Sequence, residues 1–277
     1  MSVPVELDHE IAGALGGSPV VLSSSLGTNR AMWEPQLAAL SGRHRVISYD
    51  HRGHGASPVP PGPYVIDDLG GDVLALLDRL EIERTSWVGV SLGGMVGLWL
   101  AAFAPERIER LVVICSAAYA PPASAWVERA AAVRAAGTTA TIADAVVARW
   151  FTPDFASSEP ASVARARAML VATPAEGYAG CCAVLERLDL RSALGTIGAP
   201  TLVISAAGDT ALPPERSREI AAGIPGARLE PLPRGAHLAS IEEATSVNGL
   251  IIDHLAALPS PGAADSGLAA GSGRRDG

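Results

Sequence analysis

The chain has 277 residues, 48% of them hydrophobic, which is enough to bury the core of one large α/β domain or of a domain carrying an insertion. A formal net charge of -8 weighs against nonspecific nucleic-acid binding and leaves any anionic substrate to be held by local cations. Cys115, Cys181 and Cys182 are odd in number and lack zinc-type spacing with histidines, so neither a disulfide framework nor a metal site is expected.

The opening residues Met1-Ser2-Val3-Pro4-Val5-Glu6-Leu7-Asp8 offer no basic segment followed by a continuous apolar one, and no apolar run reaches the length of a membrane span. A cytoplasmic protein with no membrane partner is expected. In chain order, Val3-Leu7 and Glu10-Leu15 suggest a hairpin. Val20-Ser23, Arg45-Tyr49, Thr85-Val90 and Ile108-Cys115 then read as core strands, each rich in Val, Ile or Leu and ending near Gly, Asp or Ser. Between them, Ile66-Leu80 has Leu69, Val73, Leu76, Leu77 and Leu80 on one helical face, and Met95-Phe103 is a helix ended by Pro105.

From Tyr119 to Gly198 the texture changes. Buried-strand runs give way to helical segments around Ser124-Ala136, Ile142-Trp150, Ser162-Val171 and Gly177-Leu188, separated by Gly137, Pro153, Pro160 and Pro174. Strands return at Thr201-Ser205 and Ala227-Leu232, and Ala244-Leu258 supplies a closing helix. The expected architecture is an α/β core with a mostly parallel, eight-stranded sheet flanked by helices, made from residues 1–118 and 199–258. Residues 119–198 are expected to form an inserted helical cap, and 259–277, rich in Gly, Ala, Ser and Pro, a disordered tail or linker.

Chemistry concentrates in Trp87-Val88-Gly89-Val90-Ser91-Leu92-Gly93-Gly94. A strand running into Gly89-x-Ser91-x-Gly93 and then a helix is the pattern of a nucleophile elbow, although the same string also occurs in ordinary turns. A serine hydroxyl at neutral pH needs an imidazole to take its proton and a carboxylate to orient that imidazole. In such a fold the chain order is Ser, acid, His, and Asp209 and His237 follow the two late strands in that order. His44, His51, His54 and His254 are competitors, but none lies in the loop directly after the last core strand; Asp50 is an alternative acid whose simpler role is ordering the Arg52-Gly53-His54-Gly55 turn. The oxyanion of acyl transfer needs two donors, for which the backbone N–H groups of Leu92, after the serine, and Leu26, in Ser23-Ser24-Ser25-Leu26-Gly27-Thr28, are the candidates.

With these motifs assembled, the chain resembles the α/β-hydrolase family and, within it, the 3-oxoadipate enol-lactonases of the β-ketoadipate pathway of protocatechuate degradation. The likeness runs from about Val20 to Leu258. The elbow and Arg52-Gly53-His54-Gly55 resemble α/β hydrolases in general, whereas the Ser25-Leu26-Gly27-Thr28 loop and the strings Arg149-Trp150-Phe151-Thr152 and Tyr178-Ala179-Gly180-Cys181-Cys182 are more particular to the lactonases and their near relatives. The resemblance implies an α/β-hydrolase fold and a carboxylic ester hydrolase that opens an enol-lactone through an acyl-enzyme on Ser91, without metal or organic cofactor. It also implies a small carboxylate-bearing substrate, so a cation should face the pocket: Arg149 first, with Arg134 and Arg52 behind it, and Trp126 and Trp150 as lining. Arg149 could instead pack its stem on Trp150, and the tryptophans could simply hold the cap. Some relatives are fused to a carboxymuconolactone decarboxylase, which would make residues 259–277 a linker. The same residues also suit another carboxylesterase or lactonase, a cofactor-free perhydrolase, or a ligand receptor on a hydrolase scaffold.

Overall fold

The computed structural model describes residues 2–14 and 16–257; the expected tail at 259–277 lies outside them. Seven strands form one sheet: β1 (His9–Gly13), β2 (Ser18–Ser23), β3 (His44–Tyr49), β4 (Thr85–Val90), β5 (Ile108–Ile114), β6 (Thr201–Ala206) and β7 (Arg228–Leu232), in spatial order β1-β3-β2-β4-β5-β6-β7. Among the described residues β1 alone is antiparallel, against β3, and the other pairings in the sheet are parallel. Every residue of β4 and β6 is buried, as strands covered on both faces must be.

The expected count of eight strands is corrected to seven because the opening hairpin does not form. The Ser2 and Val5 amides donate instead to the Asp68 and Asp72 carboxylates, 2.6 and 2.7 Å away, on helix α2 (Ile66–Arg79). Side-chain acceptors therefore take up backbone donors that a hairpin partner would have used. The stretch lies over α2, with Leu7 buried, before the chain enters β1.

Helix α1 (Glu34–Leu40), unassigned from sequence, packs against the closing helix α11 (Ala244–Ala256), while α2 packs on α3 (Leu92–Phe103). Between β5 and β6 the described residues contain no strand. They form helices α4 (Ala123–Ala136), α5 (Ala143–Val147), α6 (Pro153–Ser158), α7 (Pro160–Ala172) and α8 (Ala175–Arg187). The expected helix at Ile142-Trp150 is shorter, a 3-10 turn over Thr139–Ile142 followed by α5. The missed α6 begins with Pro153 and is capped by the Thr152 hydroxyl, which accepts from the Phe155 amide at 3.3 Å. Helix α9 (Pro214–Gly223) covers β6 and β7, and the short α10 (Ala239–Glu242) precedes α11.

Parallel strands deliver their following loops to the same edge of the sheet. The chain goes from β2 outward to β3 and then returns to β4 on the other side of β2, which makes β2/β4 the switch point where such sheets open a crevice. The loops after β2, β4, β6 and β7 carry Leu26, Ser91, Asp209 and His237 respectively. Close approach at the switch point depends on glycine. A Cβ on Gly93 would land on the Ser23 carbonyl of β2, and one on Gly89 would land on the Gly93 carbonyl.

These contacts predict that Gly93→Ala loses at least about 3 kcal/mol in denaturant unfolding, since backbone cannot move aside as a flexible side chain does. Gly71→Ala, on α2 with nothing within 4 Å of the added methyl, should instead gain about 0.5–1 kcal/mol.

Candidate active site

Ser91 sits between β4 and α3 with φ 54° and ψ -116°, a left-handed conformation that a non-glycine residue adopts only where its surroundings enforce it. Its amide donates to the Ile114 carbonyl of β5 at 2.9 Å, and its carbonyl accepts from the Ser116 hydroxyl at 2.7 Å and the Met95 amide at 3.0 Å. The strain is thus held by three hydrogen bonds. The elbow expected from sequence is present, and its helix begins at Leu92 rather than Met95.

His237 and Asp209 come together because their loops are laced to each other. Ala207 donates to the Leu232 carbonyl at 3.1 Å, and Gly208 to that of Gly235 at 2.9 Å. The Asp209 Oδ1 accepts from the Ala211 and Leu212 amides at 2.8 and 2.9 Å, which orients the carboxylate, and Oδ2 lies 2.9 Å from His237 Nδ1. A carboxylate at Nδ1 places the ring proton there and leaves the Nε2 lone pair for a proton acceptor's role. Ser91 and His237 line one cavity together with Ser25, Leu26, Trp126 and Trp150. They share its wall without a formed hydrogen bond. Asp50 does not contact His237; it accepts from the Arg30 and Ala56 amides at 2.7 and 3.0 Å and orders its own turn.

The cavity is tight, about 30 Å³. A wider apolar groove of about 420 Å³ runs between α1 and α7, past Met32, Pro35, Met169 and Ile241, and contains none of these groups. Of the expected cations, Arg149 faces the Ser91 cavity, and Arg129, which the sequence reading passed over, stands beside it. The Arg129 guanidinium lies 4.7 Å from the Trp126 ring centroid. Burial, followed by the neighbouring Arg129 charge, pulls the Arg149 pKa below its ordinary value. Among the described residues neither arginine forms an ion pair with a carboxylate. The signal for Arg129 was its spacing: three residues after Trp126 on α4, it shares that tryptophan's helical face.

The other two candidate cations are corrected. Arg134 lies on the surface and binds Glu176 through two hydrogen bonds of 2.8 Å. Arg52 is fully buried, with Nε and a terminal nitrogen 2.6 and 2.7 Å from the two Asp72 oxygens and a further bond to the Ser2 hydroxyl at 2.6 Å. Its charge is spent on α2. The structure places both tryptophans as follows. Each lines the cavity, Trp126 Nε1 donates to the Ala120 carbonyl at 2.7 Å, and the Trp150 carbonyl accepts from Leu238 at 3.0 Å. Cys181 and Cys182 are free and buried on α8; burial drives the Cys182 thiol pKa up to about 12, so it stays protonated.

One unanticipated carboxylate organises the rim. Glu242 on α10 accepts from the Ala236 amide at 2.9 Å, beside His237, and from both the amide and hydroxyl of Thr152 at the start of α6. It thereby ties the helices between β5 and β6 to the histidine loop.

The α/β hydrolase fold family matches residues 18–244. The chain belongs to this family. Among its relatives, 3-oxoadipate enol-lactonase 2 of Acinetobacter baylyi is 40% identical over 88% of this chain and 91% of its own. A Variovorax paradoxus protein named for carbamate hydrolysis, RutD, is 36% identical over 92% of this chain and 98% of its own. The crystal structure of the enol-lactonase from Burkholderia xenovorans LB400 superposes with a TM-score of 0.88 at 43% identity, covering 90% of this chain and 96% of that one.

Within this hydrolase, Arg52→Ala is expected to cost about 3–5 kcal/mol in urea unfolding, because Asp72 stays buried without its partner. Replacing both residues with apolar ones should recover most of that loss, a coupling that a double-mutant cycle reads directly.

Proposed function

We propose that this chain is a serine hydrolase that opens the lactone ring of 3-oxoadipate enol-lactone, forming an acyl-enzyme on Ser91 and releasing 3-oxoadipate. The observation that carries the substrate class is the pair of guanidiniums, Arg129 and Arg149, that stand without carboxylate partners in the cavity shared by Ser91 and His237. In a chain of net charge -8, two unneutralised and partly buried cations suit an anion supplied by the ligand.

In this reading Ser91 Oγ attacks the lactone carbonyl carbon while its proton passes to His237 Nε2, and Asp209 stabilises the imidazolium at Nδ1. The carbonyl oxygen becomes an oxyanion held by the Leu26 and Leu92 N–H groups, the latter at the first turn of α3 where the helix dipole also favours negative charge. Collapse breaks the ring C–O bond. The leaving oxygen takes the proton from His237 as an enol, which tautomerises to the ketone and draws ring opening forward. Water, deprotonated by His237, then cleaves the acyl-enzyme. Trp126 and Trp150 exclude bulk water from the oxyanion, and Arg149 holds the substrate carboxylate with Arg129 beside it.

A second reading, carbamate hydrolysis, is favoured by the 36% identity to the Variovorax paradoxus relative. The same nucleophile would attack the carbonyl of a neutral carbamate ester, which carries no carboxylate for Arg149 to hold.

The two are separated by following the loss of enzymatically generated enol-lactone alongside cleavage of a simple carbamate. The lactone should be consumed well above its spontaneous rate, and Ser91→Ala should lower kcat by about 10⁴-fold or more. Arg149→Leu should raise KM for the lactone by roughly 10- to 100-fold while changing kcat far less, the loss of a charge-assisted hydrogen bond to the substrate. Lactone loss no faster than the blank, with the carbamate cleaved, would overturn the lactonase reading in favour of the second.

A further inference from the structure

Two buried histidines that the triad does not use, His51 and His54, lie against the loop that carries Leu26. His51 Nε2 is 3.0 Å from the Ser24 carbonyl oxygen. His54 Nε2 is 3.0 Å from the Gly27 amide nitrogen, and its Nδ1 is 3.2 Å from the Arg52 carbonyl. A carbonyl can only accept and an amide N–H can only donate, so the two rings must be opposite tautomers. His51 carries its proton on Nε2; His54 carries its proton on Nδ1 and presents a lone pair at Nε2. Burial suppresses the charged form of both, taking the pKa of His51 down to about 3 and that of His54 to about 4.

The placement of the Gly27 contact gives it a consequence. Leu26 lies between two peptide planes. The first contains the Ser25 carbonyl and the Leu26 N–H, and it is pinned because that carbonyl accepts from the Thr28 amide at 3.1 Å and the Thr28 hydroxyl at 2.8 Å. The second contains the Leu26 carbonyl and the Gly27 N–H, and His54 pins it. Gly27 has φ 79°, a left-handed backbone conformation that glycine adopts at no steric cost.

We propose that His54 is a positioning residue for the reaction: as a neutral acceptor of the Gly27 N–H, it fixes the peptide plane that follows Leu26 and so, together with the Thr28 bonds that hold the plane before it, keeps the turn in the course that presents the Leu26 N–H to the oxyanion. The proposal rests on the serine-hydrolase reading above and assigns a task to the His of Arg52-Gly53-His54-Gly55. A merely space-filling histidine would affect stability alone.

The test uses the full chain with 4-nitrophenyl acetate as probe. His54→Phe keeps a buried ring but removes the acceptor, and should lower kcat by about 10- to 100-fold with KM within about twofold, somewhat less than outright loss of an oxyanion donor. His54→Gln can place its amide oxygen near the former Nε2, and should restore kcat to within about fivefold of the original. A folded His54→Phe whose kcat stays within about threefold, judged against the donor-loss scale, overturns the proposal. If that variant does not fold, ¹⁵N spectra of histidine-labelled unsubstituted protein at neutral pH decide. Neutral His54 protonated at Nδ1 supports the anchor, and an Nε2-protonated or doubly protonated ring overturns it. Activity surviving Ser91→Ala would overturn the nucleophile assignment and the oxyanion task together. Ser91-dependent activity indifferent to His54→Phe overturns the His54 role only.

Discussion

The left-handed backbone of Ser91, at the point where β4 becomes α3, is the constraint around which this molecule is arranged. A serine at φ 54° is held there only by its surroundings, and these come from three directions: the Ile114 carbonyl, the Ser116 hydroxyl and the Met95 amide. Gly93 lets the first turn of the helix lie against the Ser23 carbonyl of β2, so the serine and the Leu26 loop meet at the switch point of the sheet. The shared oxyanion task proposed for Leu26 and Leu92 depends on that approach. The chemistry proposed for the site is thus inseparable from how closely two parallel strands and one helix can pack.

A second layer of interactions couples the helices between β5 and β6 to the loops below them. The Trp150 carbonyl accepts from Leu238, and Glu242 bridges Thr152 and Ala236, so both neighbours of His237 are engaged with that helical segment or its tether. Movement of these helices is therefore linked to the histidine's own backbone. The tight cavity reflects the same closeness, with Trp126 and Trp150 over Ser91.

Charge is used in two contrasting ways. Arg52 and Asp72 are both buried and bind each other through two hydrogen bonds, and Asp72 also accepts from Val5, drawing the N-terminal stretch onto α2. Burial is the leading influence on Asp72 and raises its carboxyl pKa, while the Arg52 hydrogen bonds oppose it. Such a pair contributes more to specifying an arrangement than to net stability. Arg129 and Arg149 are the reverse case, two cations on one cavity wall that form no ion pair with a carboxylate among the described residues, an arrangement whose natural complement is a ligand's anion.

Much of this was legible in the sequence because it depends on local rules. Apolar runs ending at turn residues marked six of the seven strands, glycines around Ser91 marked the elbow, and the order of Ser91, Asp209 and His237 along parallel strands placed all three at one edge. The opening hairpin was misread because alternation cannot reveal that the Ser2 and Val5 amides have carboxylate acceptors on a helix more than sixty residues away. Arg52, Arg134 and Arg149 look alike as sequence; only packing decides that one meets Asp72, one meets Glu176 and one faces the cavity beside the overlooked Arg129. The sequence by itself determined the kinds of element and the chemical groups at their ends, since these follow from backbone sterics and hydrophobic periodicity. Tertiary structure alone decided which charges are neutralised and which histidine accepts a hydrogen bond from an amide, because both are properties of neighbours that the chain brings together only by folding.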